Sequence, residues 1–186
     1  MNKNASSWSP ALKTLHWLIA VFILFAWGSV ELHEFYERGD PMRSWWMVVH
    51  FSLGFSVLFL ALARLYWRAT HGRPTLYGSG LQKPVSLLVQ SLMYVIMLGM
   101  PLTGLLMRQF AGRDTTLFWL FDLPSFVAKN EALAKQLAFL HKEFLWNALL
   151  VLLVLHIGGA LWHHLITKDN TLRQMLPFGK VKISGK

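Results

Sequence analysis

The chain contains no cysteine. That excludes disulfides, thiolate metal sites, iron–sulfur clusters and haem attached through a Cys-x-x-Cys-His motif. Acidic residues are scarce, 9 Asp and Glu against 18 Lys and Arg, leaving a formal net charge of +9. No nucleic-acid recognition motif accompanies that charge, so no nucleic-acid partner is expected. Internal repeats, low-complexity tracts, nucleophile motifs and acid–base triads are also missing, and no catalytic side chain is assigned. Polar sequence is in short supply too. Of 186 residues 54% are apolar, with 9 Trp and 13 Phe, more than a soluble domain of this size carries.

What is present is long apolar runs. A helix needs about 20 apolar residues to cross a bilayer, and four runs qualify, at about residues 14–32, 45–68, 84–107 and 140–166. In lipid each must be helical, because only a helix satisfies its own backbone hydrogen bonds. The expected architecture is an all-α four-helix transmembrane bundle, one membrane domain over residues 1–186. The first run is read as a retained span, since Glu31-Leu32-His33-Glu34 follows it rather than a small-residue cleavage site.

Charge orients the bundle. One side carries Lys3, Lys13, Arg64, Arg68, Arg73, Lys83, Lys168, Arg173, Lys180, Lys182 and Lys186 against a single acid, Asp169. The other side carries seven Lys/Arg and eight acids. Basic residues concentrate on the cytoplasmic face, so both termini are expected inside. The connector THGRPTLYGSG reads as a short inner loop. On the outside a long loop runs from about residue 108 to 140. Within it FWLFDLP is aromatic enough for the headgroup layer, and KNEALAKQLAFLHK has the periodicity of an interfacial helix leading into the fourth span. The basic segment after Ile166 is expected at the inner surface.

Ionisable residues at membrane depth are costly and usually functional. Of eight histidines, His33 and His71 fall in loops and are given no role. His16 sits one turn into the first span, at the inner side. His50 sits one turn into the second, at the outer side. His141 opens the fourth span at the outer side, and His156 lies deeper in it. On a straight α-helix, 15 residues turn about 1500°, roughly 60° past four full turns, so His141 and His156 share a broad face about 22 Å apart. His50 matches His141 in depth, and His16 matches His156. Two pairs of facing neutral imidazoles suit two six-coordinate haem irons, which carry electrons rather than bind gas. Interhelical hydrogen bonding is the alternative for any single histidine. Zinc fits poorly, because it needs three or four ligands at one point. Gly54, Gly158 and Gly159 lie beside these histidines, and either a close porphyrin or tight helix packing explains them.

Further along, His163 stays on nearly the same face as His156 and is positioned to bond a haem propionate. His164 is expected to be a solvated interfacial residue. Arg64 shares a face with His50 and can reach the inner site, where guanidinium pairs well with carboxylate; Arg68 is the weaker candidate. Outside, Arg108, Arg113, Lys129, Lys135 and Lys142 form a candidate funnel for a small anion.

These residues carry a resemblance. TLHWLIA around His16, VVHFSLGFSVLFLALARLYWR from Val48 to Arg68, FLHKEFLWNALLVLLVLH from Phe139 to His156, and HHLITKDNTLRQMLP after it resemble the bacterial cytochrome b561 family, and within it members that act as superoxide oxidases. The likeness covers nearly the whole chain. It implies four helices in a bacterial inner membrane, two haem b groups, and electron exchange with a quinone, ubiquinone being the one expected. It also implies His16 with His156 and His50 with His141 as axial ligands, and Arg64, His163 and Lys168 at the quinone end. Superoxide is the implied donor at the outer haem. The rival within this resemblance is a cytochrome b subunit passing electrons between quinone and a partner dehydrogenase or hydrogenase. The rival outside it is a non-redox membrane protein whose histidines bind a metal or merely pack.

Overall fold

The computed structural model describes residues 7–71, 74 and 76–178. Lys3, Arg73, Lys180, Lys182 and Lys186 of the charge argument lie outside them.

Each expected span sits inside a longer helix with its own start signal. α1 (Pro10–Phe35) is capped by Ser9, whose Oγ accepts from Leu12 N–H, and has Pro10 in its first turn. α2 (Pro41–Thr70) begins the same way, with Asp40 Oδ1 accepting from Met42 N–H at 2.8 Å ahead of Pro41. α3 (Gln82–Phe110) carries Pro101 in its interior, which removes the N–H that Met97 C=O would accept. His33 lies in the last turn of α1 rather than in a loop, because the helix continues through residue 35. Its Nδ1–H donates to Arg43 C=O at 2.8 Å, while the Arg43 guanidinium donates to the carbonyls of His33 and Tyr36. These bonds lock the α1–α2 turn. His71 caps α2 and stacks on Trp67 at 4.3 Å.

The fourth span differs from expectation at its outer end. The stretch expected to lie in the interface is no separate helix. α4 (Glu131–Phe139), capped by Asn130, passes through a π turn (Leu140–Leu145) into α5 (Trp146–Leu165). The whole is one helix of 35 residues, about 52 Å long against roughly 30 Å of hydrocarbon. Its polar Glu131–Lys135 end therefore stands beyond the apolar layer. The FWLFDLP stretch also takes an unexpected form. β1 (Thr115–Leu117) and β2 (Phe121–Leu123) pair as an antiparallel hairpin, Thr115 opposite Leu123 and Leu117 opposite Phe121. A short helix, α6 (Thr171–Met175), returns to α1, with Trp17 Nε1–H donating to Met175 C=O at 3.0 Å. "Inner" below denotes this end of the bundle.

Helix contacts place the core off centre. α1 packs on α2, and α3 packs on α2, α4 and α5. One buried cluster joins Ile19, Val57, Ala61, Tyr94 and Met97, and a second joins Ile96, Leu149 and Leu152. Only 11–17% of each span's apolar window is buried inside the protein. The rest faces outward, and for side chains this apolar the matching solvent is lipid. The most extensive packing is between α1 and α2, with α3 joining α2 to the fourth span, and His16 of α1 meets His156 of α5 ring to ring.

Candidate functional site

At the outer end His50 and His141 face each other, ring centres 6.2 Å apart and planes nearly perpendicular at 87°. Both rings are tied at the back. His50 Nδ1 lies 2.9 Å from Ala26 C=O, and His141 Nδ1 lies 2.8 Å from Met100 C=O. A carbonyl only accepts, so each Nδ1 carries the proton and each neutral ring keeps its lone pair on Nε2. This is the arrangement that orients a metal-ligating histidine. Gly104 lets His141 sit this close to α3: a Cβ there would lie 2.9 Å from Cε1 of the ring. The pair lines a cavity of about 1070 Å³ together with Gly54 and Arg108, at the top of the ~300–1,000 Å³ range usual for cofactor pockets.

The inner pair repeats the geometry. His16 and His156 have ring centres 6.1 Å apart at 65°, and neither ring makes a hydrogen bond among the described residues. Two trans imidazoles, each held at about 2 Å from one metal and with ring centres about 1 Å further back, stand roughly 6 Å apart. Both pairs fit that span. No group of three or more His, Asp or Glu converges among the described residues, as a tetrahedral zinc site requires.

The π turn explains how α5 serves both tiers. A straight helix leaves His141 and His156 about 60° apart in one sense; a π turn absorbs about one extra residue, which brings the angle to roughly 40° in the other. The change keeps both rings turned toward their partners on α2 and α1.

Near the inner pair is a patch of unpaired polarity. The Arg64 charge acts on both His16 and His156. Its guanidinium lies 5.6 Å from the Tyr94 ring centre, and Arg68 lies 5.6 Å from the same ring. Arg64 Nε, Arg68 Nε and Tyr94 OH are buried without a hydrogen-bond partner among the described residues. Unsatisfied buried donors are rare in native folds, and three in one place suit an anionic or carbonyl-bearing ligand. His163 stands beyond them. Its Nδ1–H donates to Asp169 Oδ2 at 2.5 Å, leaving Nε2 free. Asp169 also accepts from Thr167 Oγ1 and Thr171 N–H, both at 2.9 Å. Partial burial pushes the Asp169 carboxyl up, but hydrogen bonds from Thr171, His163 and Thr167 outweigh it and hold the pKa at about 2. Lys168 is exposed in the turn after α5, in the left-handed region at φ 56°, and makes no hydrogen bond or ion pair among the described residues. His164 departs from expectation: its Nδ1 is buried and unpartnered rather than solvated.

Three glycine positions can now be judged. A Cβ at Gly54, Gly158 or Gly159 would meet nothing within 4 Å, so tight helix packing does not account for them. Gly104 is the glycine pressed against a candidate ligand, and the sequence offered no reason to single it out. Tyr94 and Asp169 were also missed as site residues. Asp169 had a signal, as the one acid on a basic face; Tyr94 had none in a uniformly apolar run.

A membrane bundle with two tiers of opposed, metal-ready imidazoles defines a class: membrane cytochromes with b-type haem. The sequence profile described as prokaryotic cytochrome b561 matches residues 7–178, and the chain belongs to that family of membrane haem b electron carriers. Among similar proteins, cytochrome b561 homolog 1 of Escherichia coli (strain K12) is 27% identical over 165 residues, 88% of this chain and 93% of its own. The probable superoxide oxidase CybB of Yersinia pestis is 29% identical over 169 residues, 88% of this chain and 92% of its own. Cytochrome b561 homolog 2 of Escherichia coli (strain K12) is 29% identical over 167 residues, 87% and 86% of the two chains.

Proposed function

We propose that the chain is a two-haem carrier of the bacterial inner membrane that oxidises superoxide at the outer end and reduces ubiquinone at the inner end. Both termini are on the cytoplasmic side. Two superoxide anions become two O₂, and the quinone takes up two electrons and two protons. His50 with His141 would hold one haem b, and His16 with His156 the other. When bound, the haems supply the one-electron chemistry; the protein supplies binding, orientation and field.

The protein's own contributions follow from the geometry. Ala26 and Met100 carbonyls hold the His50 and His141 protons on Nδ1, which aims Nε2 of each ring across the gap. Arg64, with its Nε unpaired, offers a cation to a haem carboxylate. His163 presents Nε2 to the quinone, its ring oriented by the Nδ1–H bond to Asp169. Lys168 supplies a further surface charge at the same end.

The observation that carries the choice of donor is the outer cavity. Its lining has six Lys/Arg against four Glu, although the outer segments as a whole are near balance. A local positive surplus around the His50–His141 pair raises the encounter rate of a small anion. The name of the Yersinia pestis relative points the same way. The test is quinone reduction by purified protein in liposomes, with xanthine oxidase generating superoxide outside. Quinol formation that superoxide dismutase abolishes supports the reading. Haem that superoxide leaves oxidised, but that a co-purifying dehydrogenase or hydrogenase reduces, would replace it with a partner-fed role.

A further inference from the structure

The hairpin between α3 and α4 does not sit on top of the bundle. Phe118 N–H, at its apex, donates to Ser52 Oγ at 2.7 Å. Ser52 is buried in α2 and donates in turn to Val48 C=O at 2.7 Å. It lies seven residues below Trp45, about 10 Å along the helix, and Trp45 is the kind of residue that marks the membrane interface. Phe118 also lines a groove with Leu18, Phe22, Phe55 and Phe59, residues of two spans.

The apex reads as chain meant for hydrocarbon. Phe118, Trp119, Leu120 and Phe121 are consecutive, large and 42–76% exposed. Four such side chains in water would be an aggregation liability. Non-helical backbone is tolerated at membrane depth only where its polar groups are satisfied within the protein. Two of the apex amides have such partners, Phe118 N–H on Ser52 and Leu120 N–H on Leu117 C=O at 3.0 Å. The surface is continuous with the outward apolar faces of α1 and α2. Asp122, one residue past the apex and bonded by Thr116 Oγ1 at 2.6 Å, sets the upper limit of insertion.

We propose that residues 118–121 are inserted among the lipid acyl chains of the outer leaflet, with the bilayer itself as the partner of this surface. The hairpin is then a wall. Thr115 and Leu117 line the outer cavity on one side, and Phe118 meets lipid on the other. On its α2 flank the outer site is closed to the membrane interior, so ligands from that flank reach it from water. The inference rests on the membrane fold and not on the identity of any substrate.

The absence of cysteine makes the test direct. Single nitroxide labels are placed on Leu120→Cys, Phe121→Cys and Phe126→Cys in the haem-loaded protein in liposomes. Their accessibility to oxygen and to a water-soluble nickel chelate is read by power-saturation EPR. Labels at 120 and 121 are expected to favour oxygen, with nickel accessibility several-fold below that at 126. Nickel accessibility at both 120 and 121 equal to that at 126 would overturn the proposal, whatever the protein's substrates prove to be.

Discussion

At the residue scale, His50 and His141 are defined as much by their back contacts as by each other. Each Nδ1–H is spent on a main-chain carbonyl, so a substitution that moves a ring also releases its orientation. His50→Ala or His141→Ala is expected to lose the outer haem and keep most of the inner one, and His16→Ala or His156→Ala to do the reverse. The haem-to-polypeptide ratio of each purified variant reads this out. Gly104→Ala needs no change of ligand to have an effect. Its Cβ would press on Cε1 and Nδ1 of His141, at 2.9 and 3.2 Å, and loss of such outer-shell orientation weakens metal retention by ~10–100-fold. A variant retaining both haems as tightly as the parent would count against the His141 assignment. At the inner end the prediction concerns pH. Asp169 titrates at about 2, below the ordinary carboxylate range. A depressed carboxyl stabilises the fold above its unfolded pKa, and that contribution disappears as pH falls through the folded value. The turn holding His163 should therefore stay closed at neutral pH and loosen between about pH 4 and pH 2. Hydrogen exchange at the Thr171 amide follows it, and Asp169→Asn should remove the dependence.

At the element scale the π turn makes the sharpest claim. If Leu140–Leu145 stores one surplus residue, deleting one there converts it to plain α-helix and leaves the two histidines at almost their present angle. Deleting one from α5 swings His156 by about 100°. Phe144 and Val151 are matched for the comparison, 61% and 60% exposed. Deletion of Phe144 should keep both haems, and deletion of Val151 should lose the inner one; equal loss from both would refute the reading. Helices of this kind are legible in sequence because apolar length and Ser, Asp and Pro start signals announce them. The π turn is not, since nothing in LHKEFL distinguishes i→i+5 from i→i+4 bonding. The hairpin was hidden for another reason. Its apex places Phe118 and Trp119 at positive φ, 55° and 56°, where Gly or Asn would ordinarily mark the turn. A tertiary anchor at Ser52 holds that backbone, and tertiary anchors leave no local pattern.

For the whole molecule, the pairing of depths was readable from four residue numbers and the rise of a helix. The partners of the site were not: Tyr94, Gly104 and the Ala26 and Met100 carbonyls act through positions that only packing sets. Orientation is the molecule's other global property. The surplus of Lys and Arg on the segments joined to both termini predicts that a fluorescent protein fused after Lys186 is bright in cells, as a cytoplasmic fusion is, whereas a periplasmic reporter there stays inactive. The haem-loading expectations depend on two haems held at two levels by four imidazoles. The most direct measurement is the haem b content of the purified, fully loaded chain with its low-temperature EPR spectrum. Two haems per polypeptide, both low-spin, is the predicted result; a single haem, or iron with an open axial position, would contradict it.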